Sequence, residues 1–137
     1  MTLTARCVCS AVGVLLVALG PTGEALAHHS FAMFDRNKEV SIKGTVKQFN
    51  YTNPHSWLDI LVTDEKGQVK EWSFEMEGPS SLMRAGIKPG SLKPGEKITV
   101  KAWPLRDGRP AGAAINITKE DGTVLDPRRG LRPPPNT

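Results

Sequence analysis

Val69-Lys70-Glu71-Trp72-Ser73-Phe74-Glu75-Met76, followed after two residues by Pro79-Ser80-Ser81-Leu82-Met83-Arg84-Ala85-Gly86, is the stretch that decides the fold. In the first octet Trp72, Phe74 and Met76 share one face, which is the period of two of a half-buried strand. In the second, proline stands in the first turn, Leu82 and Met83 supply apolar contacts, and Gly86 offers a C-terminal stop. A short helix is therefore expected over Pro79 to Ala85. Upstream, Ser56 to Thr63 alternates Leu58, Ile60 and Val62 against Trp57, Asp59 and Leu61, and Asp64-Glu65-Lys66-Gly67 joins it to the octet as a hairpin. Earlier still, Glu39 to Asn50 alternates Val40, Ile42 and Val46 against Ser41, Lys43 and Lys47, and Tyr51-Thr52-Asn53-Pro54-His55 breaks it with turn chemistry. Downstream, after the Pro and Gly punctuation of Lys88 to Gly95, Lys97 to Trp103 and Ala113 to Thr118 read as two more strands joined by the polar loop Pro104 to Pro110.

Three strands, a short helix and two strands is the order of an OB-fold. The expectation is an all-β domain: a small five-stranded OB-like Greek-key barrel with its helix between the third and fourth strands. An open β-sandwich is the alternative. Closure into a barrel also removes the exposed strand edges that would otherwise invite association.

Outside the barrel the chain changes character. Arg6, the apolar run Cys7 to Gly20, Pro21 and the small-residue box Ala25-Leu26-Ala27 follow the order of a cleavable secretory signal peptide over residues 1–27. The apolar run is shorter than the roughly 20 residues a membrane-spanning helix needs. Cleavage would start the mature chain at His28 and discard both cysteines, Cys7 and Cys9, so an exported product carries neither thiol nor disulfide. The expected organisation is a leader over 1–27, a segment with a histidine pair over 28–38, the barrel over 39–126, and a disordered Pro/Arg-rich tail over 127–137. The mature 110 residues hold one modest core, and their net charge of +4 owes three cations to Arg128, Arg129 and Arg132 in the tail. The domain proper is nearly neutral, which argues against a nucleic-acid surface.

All three histidines fall in two places, His28 and His29 at the expected mature terminus and His55 in the first inter-strand loop. After cleavage His28 offers an α-amine and an imidazole that can chelate one ion together, and His55 can add a third nitrogen. An all-nitrogen set suits copper(II), with nickel or zinc behind it. α-Amines and imidazoles, with ordinary pKa values near ~8 and ~6.5, shed their protons readily at neutral pH. Tyr51 and Met33 are candidates for a weak axial ligand. The competing interpretation is that His28 and His29 begin a frayed terminus and that His55 hydrogen-bonds within its Asn-Pro-His turn.

An OB barrel commonly binds across a face framed by the loop after its first strand and the loop between its last two. Here the first carries Tyr51, Asn53 and His55, with Trp57 just beyond, and the second Trp103, Arg106, Asp107 and Arg109. Aromatics with flanking arginines suit an anionic or sugar-like small molecule, or a protein partner, with no metal involved. The bland alternative is that the tryptophans cap the barrel ends and the arginines are solvated. No serine-nucleophile motif, paired catalytic carboxylates or phosphate-binding glycine loop is visible, so a binding protein is expected in preference to an enzyme.

His28-His29-Ser30-Phe31-Ala32-Met33-Phe34-Asp35, Gly44-x-Val46, Asn53-Pro54-His55 and Trp72-x-Phe74-Glu75 together resemble a family of small exported bacterial proteins, domain-of-unknown-function family 6152. The resemblance spans His28 to Leu125 and implies a bacterial, periplasmic protein. It assigns no activity and no catalytic residues. Tyr51 is a departure, since tryptophan is the residue the resemblance leads one to expect there.

Overall fold

The computed structural model describes residues 32–131; both cysteines, the expected leader, His28, His29 and residues 132–137 lie outside that range. Six strands form one sheet: β1 (Val40–Asn50), β2 (Ser56–Thr63), β3 (Val69–Met76), β4 (Lys97–Pro104), β5 (Ala111–Lys119) and the two-residue β6 (Val124–Leu125). The helix α1 (Pro79–Arg84) lies between β3 and β4. Strand order is β3-β2-β1-β4-β5-β6, and a parallel pairing of Ser73, Phe74 and Glu75 with Ala111, Gly112 and Ala113 closes the first five strands on themselves. The closed OB-like Greek-key barrel expected from the alternation is the fold observed. The sequence reading did not include β6, which extends β5 through Ile117 and Thr118.

The inward residues are those the period of two selected. Val46, Leu58, Ile60, Phe74, Met76, Ile98, Val100, Ala102 and Ile117 are all buried in one cluster. Leu82 of α1 joins them with Ile87 and Leu92, so the helix and the turn after it stop one end of the barrel. In β1 the alternation slips once. Val46 pairs with Ile60 but Gln48 with Asp59, leaving Lys47 as the extra residue of a bulge. The bulge keeps Val46 and Phe49 on the core side and sends Gln48 and Asn50 outward beside β2.

Two segments outside the barrel are also fixed. Residues 32–38 run antiparallel to the end of β4 as a strap, with Phe34 bridging Leu105. Phe34, Leu105 and Ala113 form a second buried cluster on the barrel exterior, with Trp103 and Ala111 packed against it. Burying such a phenylalanine contributes about 1.5–3 kcal/mol toward the ordering cost of the strap. At the other end, the stretch from residue 127 was expected to be disordered, and for 127–131 that expectation fails. Pro127 is fully buried, and Arg129–Leu131 forms a 3-10 turn against α1, with Arg84 Nε donating to the Gly130 carbonyl at 3.2 Å. Glycine permits this approach, because a Cβ at 130 would lie 2.0 Å from the Ser81 carbonyl oxygen.

Candidate functional site

His55 is the one sequence-selected histidine within the described residues, and its loop is held from several sides. Tyr51 shares its hydroxyl proton between the carbonyls of Pro79 (2.9 Å) and Ile87 (3.1 Å), at the two ends of the α1 region. The Asn53–Pro54 peptide is cis, and Gly78 lies so close beneath it that a Cβ there would meet the Pro54 oxygen at 2.5 Å. Ser56 donates its N–H to Glu77 and its hydroxyl to Thr52. The loop is thus part of the scaffold, which is what a binding residue needs to be pre-positioned.

The partner of His55 is not a group of its own turn. Its Nδ1 lies 3.1 Å from Oε1 of Glu75 on β3, with the two side chains 21% and 7% exposed. Glu75 faces outward, opposite Trp57 on β2 and level with Ala113 on β5, where Phe34 packs. One step along the same outer face is a second buried carboxylate, Asp59. It accepts from Ser73 Oγ (2.5 Å), Gln48 Nε2 (2.7 Å) and Asn50 Nδ2 (3.5 Å). The outer face of β1, β2 and β3 therefore presents two satisfied carboxylates around the partly exposed Trp57 (37%). Sequence reasoning singled out neither Asp59 nor Glu75 as a site residue. The available signal was an aspartate in mid-strand, where its type is disfavoured, beside outward polar neighbours on both flanking strands.

A histidine whose Nδ1–H is directed at a carboxylate presents Nε2 as a lone-pair donor, the arrangement that metal-bound histidines commonly show. Among the described residues, no group of three or more His, Cys, Asp or Glu side chains is placed to hold a metal ion. His28 and His29 lie outside. Of the axial candidates, Tyr51 is corrected: its hydroxyl is committed beneath the helix. Met33 is exposed on the strap.

The loop side chains named as an alternative recognition set are not gathered at one place. Tyr51 belongs to the helix packing, Asn53 is exposed in its loop, and Trp57 stands on the outer face of β2. Trp103 is half-buried, with the guanidinium carbons of Arg36 and Arg128 at 4.8 and 4.6 Å from its ring centre. Arg106 holds the strap: its N–H donates to Met33 O at 2.9 Å and its Nε to Ala32 O at 3.2 Å. Arg109 turns back on Asp107, its N–H at 3.0 Å from Oδ1 and its Nε at 2.8 Å from Oδ2.

Chiefly because of that backbone N–H, and then the side-chain bond, the Asp107 carboxyl is held below its ordinary pKa. The sign follows from the charged form being the one favoured. The turn is supported above the ordinary carboxylate value and slackens as pH falls through the lowered one. In an NMR titration the Asp107 carboxyl carbon and the Arg109 amide should move together, with a midpoint below that of an unstructured aspartate.

Comparison with known proteins adds one result. No curated protein and no solved structure matches the chain significantly. The profile of a family of unknown function, DUF6152, matches residues 16–114, which takes in the strap, β1 to β4, α1 and the start of β5. With most of its length matched, and with the strap, the Asn-Pro-His loop and Glu75 inside the match, the chain belongs to the DUF6152 family.

Proposed function

We propose that this is an exported, periplasmic binding protein that takes up one copper(II) ion, or a metal of similar preference. The ligands are the α-amine and imidazole of His28 at the mature terminus and Nε2 of His55, with His29 adjacent. The observation that carries this reading is the pairing of His55 Nδ1 with the buried Glu75 carboxylate at 3.1 Å. A carboxylate there fixes the tautomer and aims the ring.

The metal-independent alternative has less behind it. Trp103, Arg106 and Arg109 already engage groups of their own chain, and the face around Trp57 carries carboxylates, which oppose an anionic ligand.

The test begins with full-length chain exported and processed by the cell, its N terminus identified by mass spectrometry. Calorimetric titration with copper(II) is expected to show one ion per chain. A chain with one extra residue before His28 should bind at least about tenfold more weakly, because the chelating amine becomes an amide. Processing at another position, or binding no tighter than that of a free peptide of residues 28–38, would overturn the reading.

A further inference from the structure

The outer face of β2 carries more order than a solvated sheet surface requires. Trp57 stands there 37% exposed, bordered in register by Asn50 on β1 and Glu75 on β3. In the next row Asp59 is bordered by Gln48 and Ser73, and beyond it Leu61 is again partly exposed. Asp59 is buried and accepts from Ser73 Oγ, Gln48 Nε2 and Asn50 Nδ2. An ionised carboxylate only accepts, so both amides turn their nitrogens toward it and carry their carbonyl oxygens on the far side. Two side-chain pairs bound the face along the strand. His55 and Glu75 meet at the Trp57 end, and Lys47 Nζ reaches Glu71 Oε2 at 2.6 Å across β2 at the Leu61 end.

From this geometry we infer that the face binds a neutral saccharide: a sugar ring stacks on Trp57, Gln48 and Asn50 accept from its hydroxyls, and Asp59 is the positioning residue that holds those amides. The apolar face of an indole suits the C–H face of a pyranose, and amides fixed before binding lose little rotamer freedom on binding. Trp57 and Leu61 lie four residues apart on one strand, about 13 Å, which is room for a disaccharide. Charge selects against the other occupants. Asp59 and Glu75 beside the ring oppose an anion. Lys47 at the rim, and the three neutral donors already placed around Asp59, disfavour an organic cation. A wholly apolar ligand would take water from Gln48 and Asn50 and return no hydrogen bond. None of the proposed metal ligands takes part, so this site stands apart from the metal centre.

The experiment titrates isotope-labelled, processed full-length protein, with EDTA present, against maltose, cellobiose and N,N′-diacetylchitobiose, and reads the side-chain amide and indole N–H signals by NMR. Spermidine and glucuronate are run beside the sugars. At least one disaccharide is expected to move the Trp57 indole and the Gln48 and Asn50 amides while leaving Trp72 and Trp103 in place, with a dissociation constant of about 1 mM or tighter. Trp57→Ala should weaken that binding at least about tenfold, and Trp57→Phe less, since phenylalanine keeps a face to stack on. Gln48→Leu should weaken it about three- to tenfold. Trp57 and Gln48 are exposed, so all three variants should melt close to wild type. Movement of the Trp57 signal by spermidine or glucuronate but by no disaccharide would overturn the inference in favour of a charged ligand, and no movement with any probe would overturn it outright. With the chelator present neither failure touches the metal reading, and a chain that binds sugar but no copper would lose that reading alone.

Discussion

Phe74→Ala is expected to destabilise the protein by about 3–5 kcal/mol and to lower its thermal midpoint by about 15–30 °C. Phe74 is fully buried on β3, stacked on Trp72 with ring centres 5.9 Å apart, and its register neighbours are Leu58 on β2 and Gly112 on β5. Gly112 has no side chain to move into the space, and a closed barrel resists collapsing its wall inward. The cost should therefore lie toward the upper end of the range for such deletions. Domains of this size are typically stable by only about 5–15 kcal/mol, so the loss is a large share of the whole. Val69→Ala on the same strand is the control: Val69 is 62% exposed, and its change should stay within about 0.5 kcal/mol. Guanidinium melts of the two variants check the pair. Equal effects would show that β3 does not line the core.

Glu75→Gln is expected to lower copper(II) affinity by about 10- to 100-fold while leaving thermal stability nearly unchanged. The amide keeps the shape and can still accept from His55 Nδ1, but it lacks the charge that makes such a bond strong. His55→Ala, which removes the ligand itself, should cost at least as much. Calorimetric titration of the processed variants checks both. An unchanged affinity in Glu75→Gln beside a weakened His55→Ala would mean that the carboxylate does not orient the ring, and unchanged affinity in both would remove His55 from the centre.

The barrel was legible because its information is periodic. Trp72, Phe74 and Met76, or Leu58 and Ile60, declare their side of a strand whatever surrounds them, and Pro79 and Gly86 bracket the helix by backbone restriction alone. The bulge at Lys47 was not legible, since one added residue leaves the apolar spacing on either side intact. The site was legible only in part. His55 drew notice by its residue type, but burial of Glu75 depends on tertiary neighbours that no local pattern encodes. Trp103, Arg106 and Arg128 show the opposite difficulty. An aromatic with arginines looks the same in sequence whether it awaits a ligand or stacks within its own chain. Pro127 was hidden for a related reason: a Pro/Arg-rich composition says nothing of the close approach that Gly130 permits against α1.

The closure of the barrel is its shortest pairing. Beyond Ser73, Phe74 and Glu75 on one side and Ala111, Gly112 and Ala113 on the other, β3 and β5 part, one toward α1 and the other toward β6. A ladder this brief is the natural seam for sub-global opening, and Glu75 is its last stitch. An ion held by His55, whose ring Glu75 orients, would thus rivet the cylinder shut, so that its occupancy is felt as mechanical integrity as well as chemistry. By mass action, a hundredfold excess of ligand over its dissociation constant adds about 2.7 kcal/mol to the closed form. If the proposed ion binds there, metal supply and resistance to unfolding should rise and fall together.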